Sequence, residues 1–325
     1  MSDLYIPNSI SLRSFDTIFT KNDFNFSDKE VMISFHPSYV AMHPIGLAFY
    51  AALMDYWREN GITRKATIDY SIKSIPYLQR MGFFSALNYQ DPVKTKTFEE
   101  TGRFIPLTKI TTGSELESFI KSIDPILHTT RDNSRAIKHV FSELIRNVLE
   151  HSNAKYGANV CATYNKKRKK ISIGIADAGK GLYTSLKKHH DIKDSKEALI
   201  KALTPGISGS TKRIGGNEQN AGAGLFFTKC IAQSTRNHFL IYSSDAYYKL
   251  LITPSDRNIL FSPNPSLDKS NLKENLPSFR GTVVGIDIQI DNDKAFNSLI
   301  ENIGKAYQLG VRKSVKDYYS KIKFS

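Results

Sequence analysis

Cysteine, tryptophan and long apolar runs are what this 325-residue chain has least of. Its two cysteines, Cys161 and Cys230, cannot build the disulfide framework on which small secreted domains depend. Both fall in segments that read as buried structure, a strand and a helix, so a reducing compartment is expected. The most apolar window, YVAMHPIGLAFYAALM from Tyr39, is interrupted by His43 and Pro44 and ends at Asp55. It falls short of the roughly 20 residues that span a bilayer. The opening MSDLYIPNSI has neither the basic nor the apolar region of a signal peptide. There is no Walker-type phosphate loop, and nothing points to long disorder or a collagen-like or repeat architecture. These absences predict a cytoplasmic protein with no membrane span.

What is present is an ordinary globular composition, 40% hydrophobic and 11% aromatic, long enough for one large or two ordinary domains. The formal charge of +14 favours an acidic partner: a nucleotide, nucleic acid, an acidic protein surface or an anionic membrane. Charge alone does not choose among them. Part of the excess is local. Asn165–Lys170 reads NKKRKK, which suits a solvated hairpin tip, and Lys305–Ser325 holds six Lys or Arg against one Asp.

Apolar spacing and turn residues divide the chain. Residues 1–27 read as an irregular segment, and 28–112 as a small α/β domain. In it the strand VMISF is followed by a helix opened by Pro44 and closed by Gly61, then by the strand ATIDYS and the helix SIPYLQRMGFFSAL. The strand RFIPLTKI leads from this βαβα unit into a second domain at 113–291, which opens with a helix capped by Ser114. A longer helix over 131–151 repeats Ile137, Val140, Phe141, Leu144, Ile145 and Val148 at three- and four-residue spacing. Two strands, ANVCATY and KISIGIAD, follow around the basic tip. After the helix SKEALIKAL, a loop with six glycines between Gly206 and Gly224 is long enough to signal a lid or a binding loop. The helix LFFTKCIAQS and an antiparallel meander of HFLIYSS, YYKLLIT, NILFS and GTVVGIDIQI complete an α+β sandwich with a mostly antiparallel sheet. A basic helix at 292–325 closes the chain.

Three short motifs carry chemistry. In ELIRN, Glu143 and Asn147 stand one helical turn apart on one face. There a carboxylate can activate a water or hydroxyl and an amide oxygen can ligate Mg²⁺. Alone, this spacing is equally that of a solvated helix face. DAGKG puts Asp177 at a strand end, where it can accept a hydrogen bond from an exocyclic amine, with Gly179 and Gly181 allowing close backbone approach. Its plain alternative is an Asp-Gly turn. GAGL supplies Gly222 and Gly224 before a helix whose free N–H groups can hold phosphate oxygens.

In that order, the three motifs resemble the GHKL ATPases, the Bergerat-fold (HATPase_c) family of gyrase B, heat-shock chaperones, MutL, histidine kinases and anti-sigma-factor kinases. The resemblance covers roughly 114–290 and implies a Bergerat-type two-layer α/β sandwich that binds ATP with Mg²⁺. Carried over, it makes Glu143 the general base, Asn147 the Mg²⁺ ligand and Asp177 the adenine-binding carboxylate beside Gly179 and Gly181. Gly222 and Gly224 then close a lid over the phosphates, and Thr282 supports Asp177. His151 falls where anti-sigma kinases carry a histidine, and is also an ordinary helix-end residue. Ser208, Ser210, Thr211, Lys212 and Arg213 lie in the presumed lid, where hydroxyls and cations could reach a triphosphate.

Candidate phosphoacceptor histidines are poor. His128 precedes Thr129, His139 lies inside the ATP-site helix and His190-Asp191 follows a lysine pair, so a two-component sensor is not expected. The N-terminal unit is similar to STAS-like segments joined to GHKL modules of the anti-sigma-kinase type. The reading that results is an ATP-binding regulator with a protein partner, STAS-like or other, that hydrolyses ATP or phosphorylates protein Ser/Thr. The alternatives are an ATP-gated homodimer acting on nucleic acid through the basic C-terminal helix, and a catalytically idle nucleotide-binding module.

Overall fold

The computed structural model describes residues 2–22, 29–89, 104–123, 131–212, 222–289 and 296–322. Its first half contains β1 (Ser2–Ile6), β2 (Ser9–Ile10), the helical turn α1 (Thr17–Thr20), β3 (Glu30–Phe35) and β4 (Ala41–Met42). Helix α2 (Pro44–Glu59), β5 (Thr63–Thr67), α3 (Ile75–Arg80) and α4 (Phe83–Ala86) follow. Strands β1, β3 and β5 form a parallel sheet in that order, and β2 pairs with β4.

Three expectations change here. The segment before Ser27 is not irregular: Leu4 and Ile6 of β1, with Ile10, Leu12, Phe15 and Ile18, are buried, so it supplies an edge strand and core side chains. The second strand begins earlier than ATIDYS, because Gly61 (φ 67°) turns the chain straight after α2 and Thr63 N–H at once bonds Lys29 O at 2.8 Å. The helix expected through Leu87 breaks into α3 and α4 at left-handed Gly82 (φ 69°).

The second half runs β6 (Phe104–Ile110), α5 (Gly113–Ser122), α6 (Arg131–Asn147), β7 (Ala158–Asn165) and β8 (Lys170–Asp177). Then come α7 (Gly181–Lys187), α8 (Ser195–Ala202), α9 (Gly224–Ser234), β9 (Phe239–Ser244), β10 (Ala246–Leu250), β11 (Ser270–Lys273), β12 (Phe279–Gln289) and α10 (Phe296–Ile322). Seven strands form one sheet in the order β11-β10-β9-β12-β8-β7-β6, with every neighbouring pair antiparallel. The class is therefore α+β.

Strand β6, expected with the small domain, is the edge of this large sheet and pairs with β7. NILFS forms no strand: Pro263 and Pro265 follow it, and proline cannot donate to a ladder, so β11 takes the edge position instead. Helix α5 is capped by Thr112, not Ser114. Thr112 Oγ1 accepts from Glu115 N–H at 3.2 Å while the Glu115 carboxylate accepts from Thr112 N–H at 3.2 Å, a reciprocal box.

Helix α2 explains how the halves join. It is apolar on nearly every side and buried from Pro44 to Asp55, and a helix with no polar face must lie inside the protein. It lies between the small parallel sheet and one face of the large sheet, within a single core that takes in Ile33, Phe49, Ala176, Tyr242 and Val283. Burial of each large side chain is worth roughly 1.5–3 kcal/mol. The close approach is made possible by a row of residues across the sheet, Cys161, Gly174 and Gly285, paired in register. A Cβ on Gly174 would stand 2.1 Å from Pro44 O, and one on Gly285 2.6 Å from Ile45 Cδ1.

Polar anchors fix both ends of α2. The His43 ring caps it through Nδ1, which accepts from Ile45 N–H at 3.0 Å, while Nε2 lies 3.0 Å from Asp287 Oδ1. Near the other end, buried Asp55 accepts from Asn159 Nδ2 at 2.7 Å and pairs with Lys109. The opposite face of the large sheet carries a second core with α5, α6, α9 and α10, built around Phe141, Ile145, Ile175 and Phe226. Among the described residues, no helix is long and apolar enough to cross a membrane.

Candidate functional site

Strands β8 and β12 alternate strictly. Gly174, Ala176, Val283 and Gly285 face α2, whereas Ile175, Asp177, Thr282 and Val284 face the other way and floor a cavity of about 300 Å³. That volume lies at the small end of the range for ligand pockets. Asp177 ends β8 opposite Thr282 of β12 and is 1% exposed. Its Oδ1 accepts from Gly179 N–H at 2.7 Å. Burial pushes its carboxyl up to about 7, against the stabilising N–H groups of Gly179 and Thr282. Among the described residues, no cation is one of the groups that act on it. A buried acceptor of this kind is stabilised by any hydrogen-bond donor brought to it, an amine among them.

The turn after Asp177 needs its glycines for different reasons. A Cβ on Gly179 would meet Ser152 O at 2.3 Å, so this residue packs under α6 and, contrary to expectation, does not line the cavity. Its contribution is the N–H that fixes Asp177. Gly181 does line it; its φ of 73° opens α7, and Ser243 Oγ accepts from Leu182 N–H at 2.9 Å. Gly281 (φ 136°) brings β12 against Asp177 O, which a Cβ would approach to 2.0 Å.

Helix α6 forms one wall. Glu143, Asn147 and His151 all line the cavity, as do His139 one turn earlier and Arg146. The helix widens into a π-helical turn over Val148–Ser152, where Ser152 Oγ donates to Val148 O at 2.7 Å, and it ends at Asn153 in the left-handed region. Arg146 lies 3.6 Å from Glu143 Oε1 and 3.7 Å from Glu150 Oε1, distances long enough to break when a ligand competes. His139 and Arg146 are not singled out by the motifs, although their three- and four-residue offsets from Glu143 are visible in the sequence.

The roof comes from the two ends of the glycine-rich segment. Gly222, with φ of 64°, packs so closely that a Cβ would stand 2.4 Å from Ile207 O, and Gly224 opens α9 over Glu143 and Asn147. Ala223, at the cap position of α9, offers no side-chain acceptor, so no side-chain cap claims the first-turn N–H groups, and Ala223, Gly224 and Leu225 of this turn line the cavity. Ser208 lines the cavity and its Oγ is 2.8 Å from Ser210 Oγ, but Ser210 and Thr211 stay outside the lining. Lys212 is exposed and also outside it, because the turn closed by the Ser208–Thr211 bridge carries it away. Arg213 lies outside the described residues.

For a divalent ion the wall offers one carboxylate, Glu143, and one amide, Asn147. The described residues hold no cluster of three or more His, Cys, Asp or Glu of metal-binding kind. Such a donor pair suits Mg²⁺, which keeps waters and takes phosphate oxygens beside one or two protein ligands. Compared with models of known protein families and with curated proteins, the chain matches none.

Proposed function

We propose that this cavity binds Mg-ATP in the manner of GHKL ATPases and that the bound nucleotide sets the state of the Gly206–Gly224 segment. The observation that carries the reading is the shared cavity itself, with a buried, cation-free carboxylate, Asp177, on the floor and the acid–amide pair Glu143–Asn147 on the wall. In this reading Asp177 accepts the adenine amine, the first-turn N–H groups of α9 hold phosphate oxygens, and Asn147 ligates the ion. Magnesium would supply charge neutralisation along the triphosphate. Glu143 orients and deprotonates the attacking hydroxyl, from water or from a protein Ser/Thr.

The protein is then a cytoplasmic regulator whose affinity for a partner protein changes with the nucleotide it holds. The STAS-like comparison of the N-terminal unit belongs to the same proposal. Incubation of the full chain with labelled ATP and Mg²⁺, followed by phosphate-release measurement and mass spectrometry of the chain and co-purified proteins, tests it. Binding with phosphate release, or with label on a Ser or Thr, is expected. Glu143→Ala should keep nucleotide affinity and slow turnover roughly 10²–10⁴-fold. Absence of ATP binding would overturn the reading.

A further inference from the structure

Away from the cavity, cations gather around one aromatic ring. Tyr156, in the turn between α6 and β7, has Arg58 4.8 Å, Lys109 5.4 Å and Lys155 5.6 Å from its ring centroid. No two of these charges can therefore lie more than about 11 Å apart, close to the Debye length of about 8 Å at physiological salt, so their mutual repulsion is only partly screened. Arg64 of β5 adds to the crowd. Burial lowers its guanidinium below the ordinary value, and the nearby charge of Arg58 lowers it further.

Among the described residues, the acidic groups at hand do not balance this. Asp55 is taken by Lys109 and Asn159, and Glu59 pairs with Arg280. The dipole of α2 accounts for Arg58 in its last turn, and Asp55 accounts for Lys109. Neither accounts for Lys155, which is exposed and has no carboxylate partner among the described residues. Cation–π interactions hold the three side chains in place, which reduces the entropy that free lysines lose on meeting an anion.

A second basic group stands at the other end of the same strand. Strand β7 runs from beside Tyr156 to the hairpin tip, where Lys166, Lys167, Arg168 and Lys169 are all exposed. At about 3.4 Å per residue the two groups are separated by roughly 25–30 Å. A small anion or a single headgroup would occupy one of them. An extended polyanion with a charge every few ångströms meets both.

We propose that the Tyr156 cluster and the β7–β8 tip form a track for the phosphodiester backbone of a single nucleic-acid strand. Recognition is by charge and spacing, without base readout, since the faces of Tyr156 are covered by cations. The proposal is independent of the nucleotide cavity, whose lining contains none of these residues.

The test is fluorescence anisotropy of a labelled single-stranded oligonucleotide of about 20 nucleotides with the full-length protein, titrated at several salt concentrations. Expected is salt-dependent binding that Arg58→Ala/Lys155→Ala weakens about tenfold, with the salt slope falling by about 0.7 for each phosphate that is no longer neutralised. Lys167→Ala/Arg168→Ala, at an exposed tip where folding is not at stake, should weaken it similarly. Wild-type protein that fails to bind, or variants with unchanged affinity and slope, would overturn the proposal. So would retention by phosphatidylserine vesicles without oligonucleotide binding, which would assign the surface to a membrane.

Discussion

A Cβ on Gly224 would stand 2.8 Å from Oε2 of Glu143 and 3.4 Å from Nδ2 of Asn147, so the first residue of α9 is packed directly onto the acid–amide pair of α6. Gly224→Ala is usually a gain in a helix, by roughly 0.5–1 kcal/mol. Here the added methyl displaces the flexible end of Glu143 and presses on its Cβ at 3.1 Å, which needs a shift of a few tenths of an ångström between α9 and α6, but its nearest contacts include no backbone atom. The variant should melt within a few degrees of the parent yet release phosphate from ATP at least about tenfold more slowly, since a misplaced base loses its geometry. Thermal melting and phosphate release on the same preparation check this; equal turnover would mean that the carboxylate at this spot is not used.

Asp177 sets stability against binding. Its carboxyl is raised to about 7 by burial, from 3.8. The folded state therefore holds a proton that the unfolded chain has lost between about pH 4 and 7. Stability from this group is complete below pH 4 and is lost as pH rises through 7. Asp177→Asn removes that loss, so above pH 8 the unliganded variant should be more stable by on the order of 2–4 kcal/mol in denaturant titrations. Its affinity for ATP should fall by about 2–4 kcal/mol, because the one oxygen left in the amide is claimed by Gly179 N–H and the other position becomes an NH2 donor facing the amine of the base. In the parent, affinity should rise with pH up to about 7 and level off, while the variant shows no such slope by calorimetry.

The motif-bearing elements are legible in the sequence because they are local. Helix α6, strands β7 and β8 and helix α9 each announce themselves by apolar period and by glycine or aspartate at their ends. The cavity unites Glu143, Asn147, Asp177, Gly222, Gly224 and Thr282. What stays hidden depends on long-range pairing. Nothing in RFIPLTKI tells which sheet Phe104–Ile110 joins, and no periodicity marks Gly174 as the landing site of Pro44. The apolar stretch from Tyr39 reads as an ordinary helix of a separate domain. Its lack of a polar face is the available sign that it is enclosed on both sides. Gly179 differs from its expected role for a related reason: a glycine in a binding motif serves a ligand or a neighbouring backbone, and only the position of Ser152 decides between them.

Gly174 is the sharpest test of that enclosure. An added Cβ would lie 2.1 Å from Pro44 O and 2.5 Å from Ile45 N, both backbone atoms that cannot swing aside. Gly174→Ala should therefore push α2 off the sheet and cost at least about 2–3 kcal/mol of stability. Because Ile175 and Asp177 sit on the other face of the same strand, ATP affinity should fall as well. Denaturant unfolding and calorimetry read the two effects. A variant of unchanged stability would mean that the N-terminal unit rests loosely on the sheet.

The second anchor of α2 titrates in the opposite sense from Asp177. Burial would raise the Asp287 carboxyl, but the hydrogen bond from His43 Nε2, the Lys170 ammonium at 2.6 Å and the Ser172 hydroxyl at 2.5 Å together hold it well below the usual carboxylate range. A depressed carboxylate contributes stability above its unfolded value near 4 and loses it as the pH falls lower. Asp287→Asn puts an amide beside Lys170 without the charge that the ammonium requires and leaves one oxygen fewer for His43 and Ser172, so it should cost roughly 2–4 kcal/mol at pH 7. The gap between parent and variant should narrow as denaturation is repeated below pH 4, where the unfolded parent takes up a proton that the folded carboxylate, held by Lys170, still refuses. A gap that stays constant through that range would mean that the network holds α2 by shape alone, with charge contributing nothing.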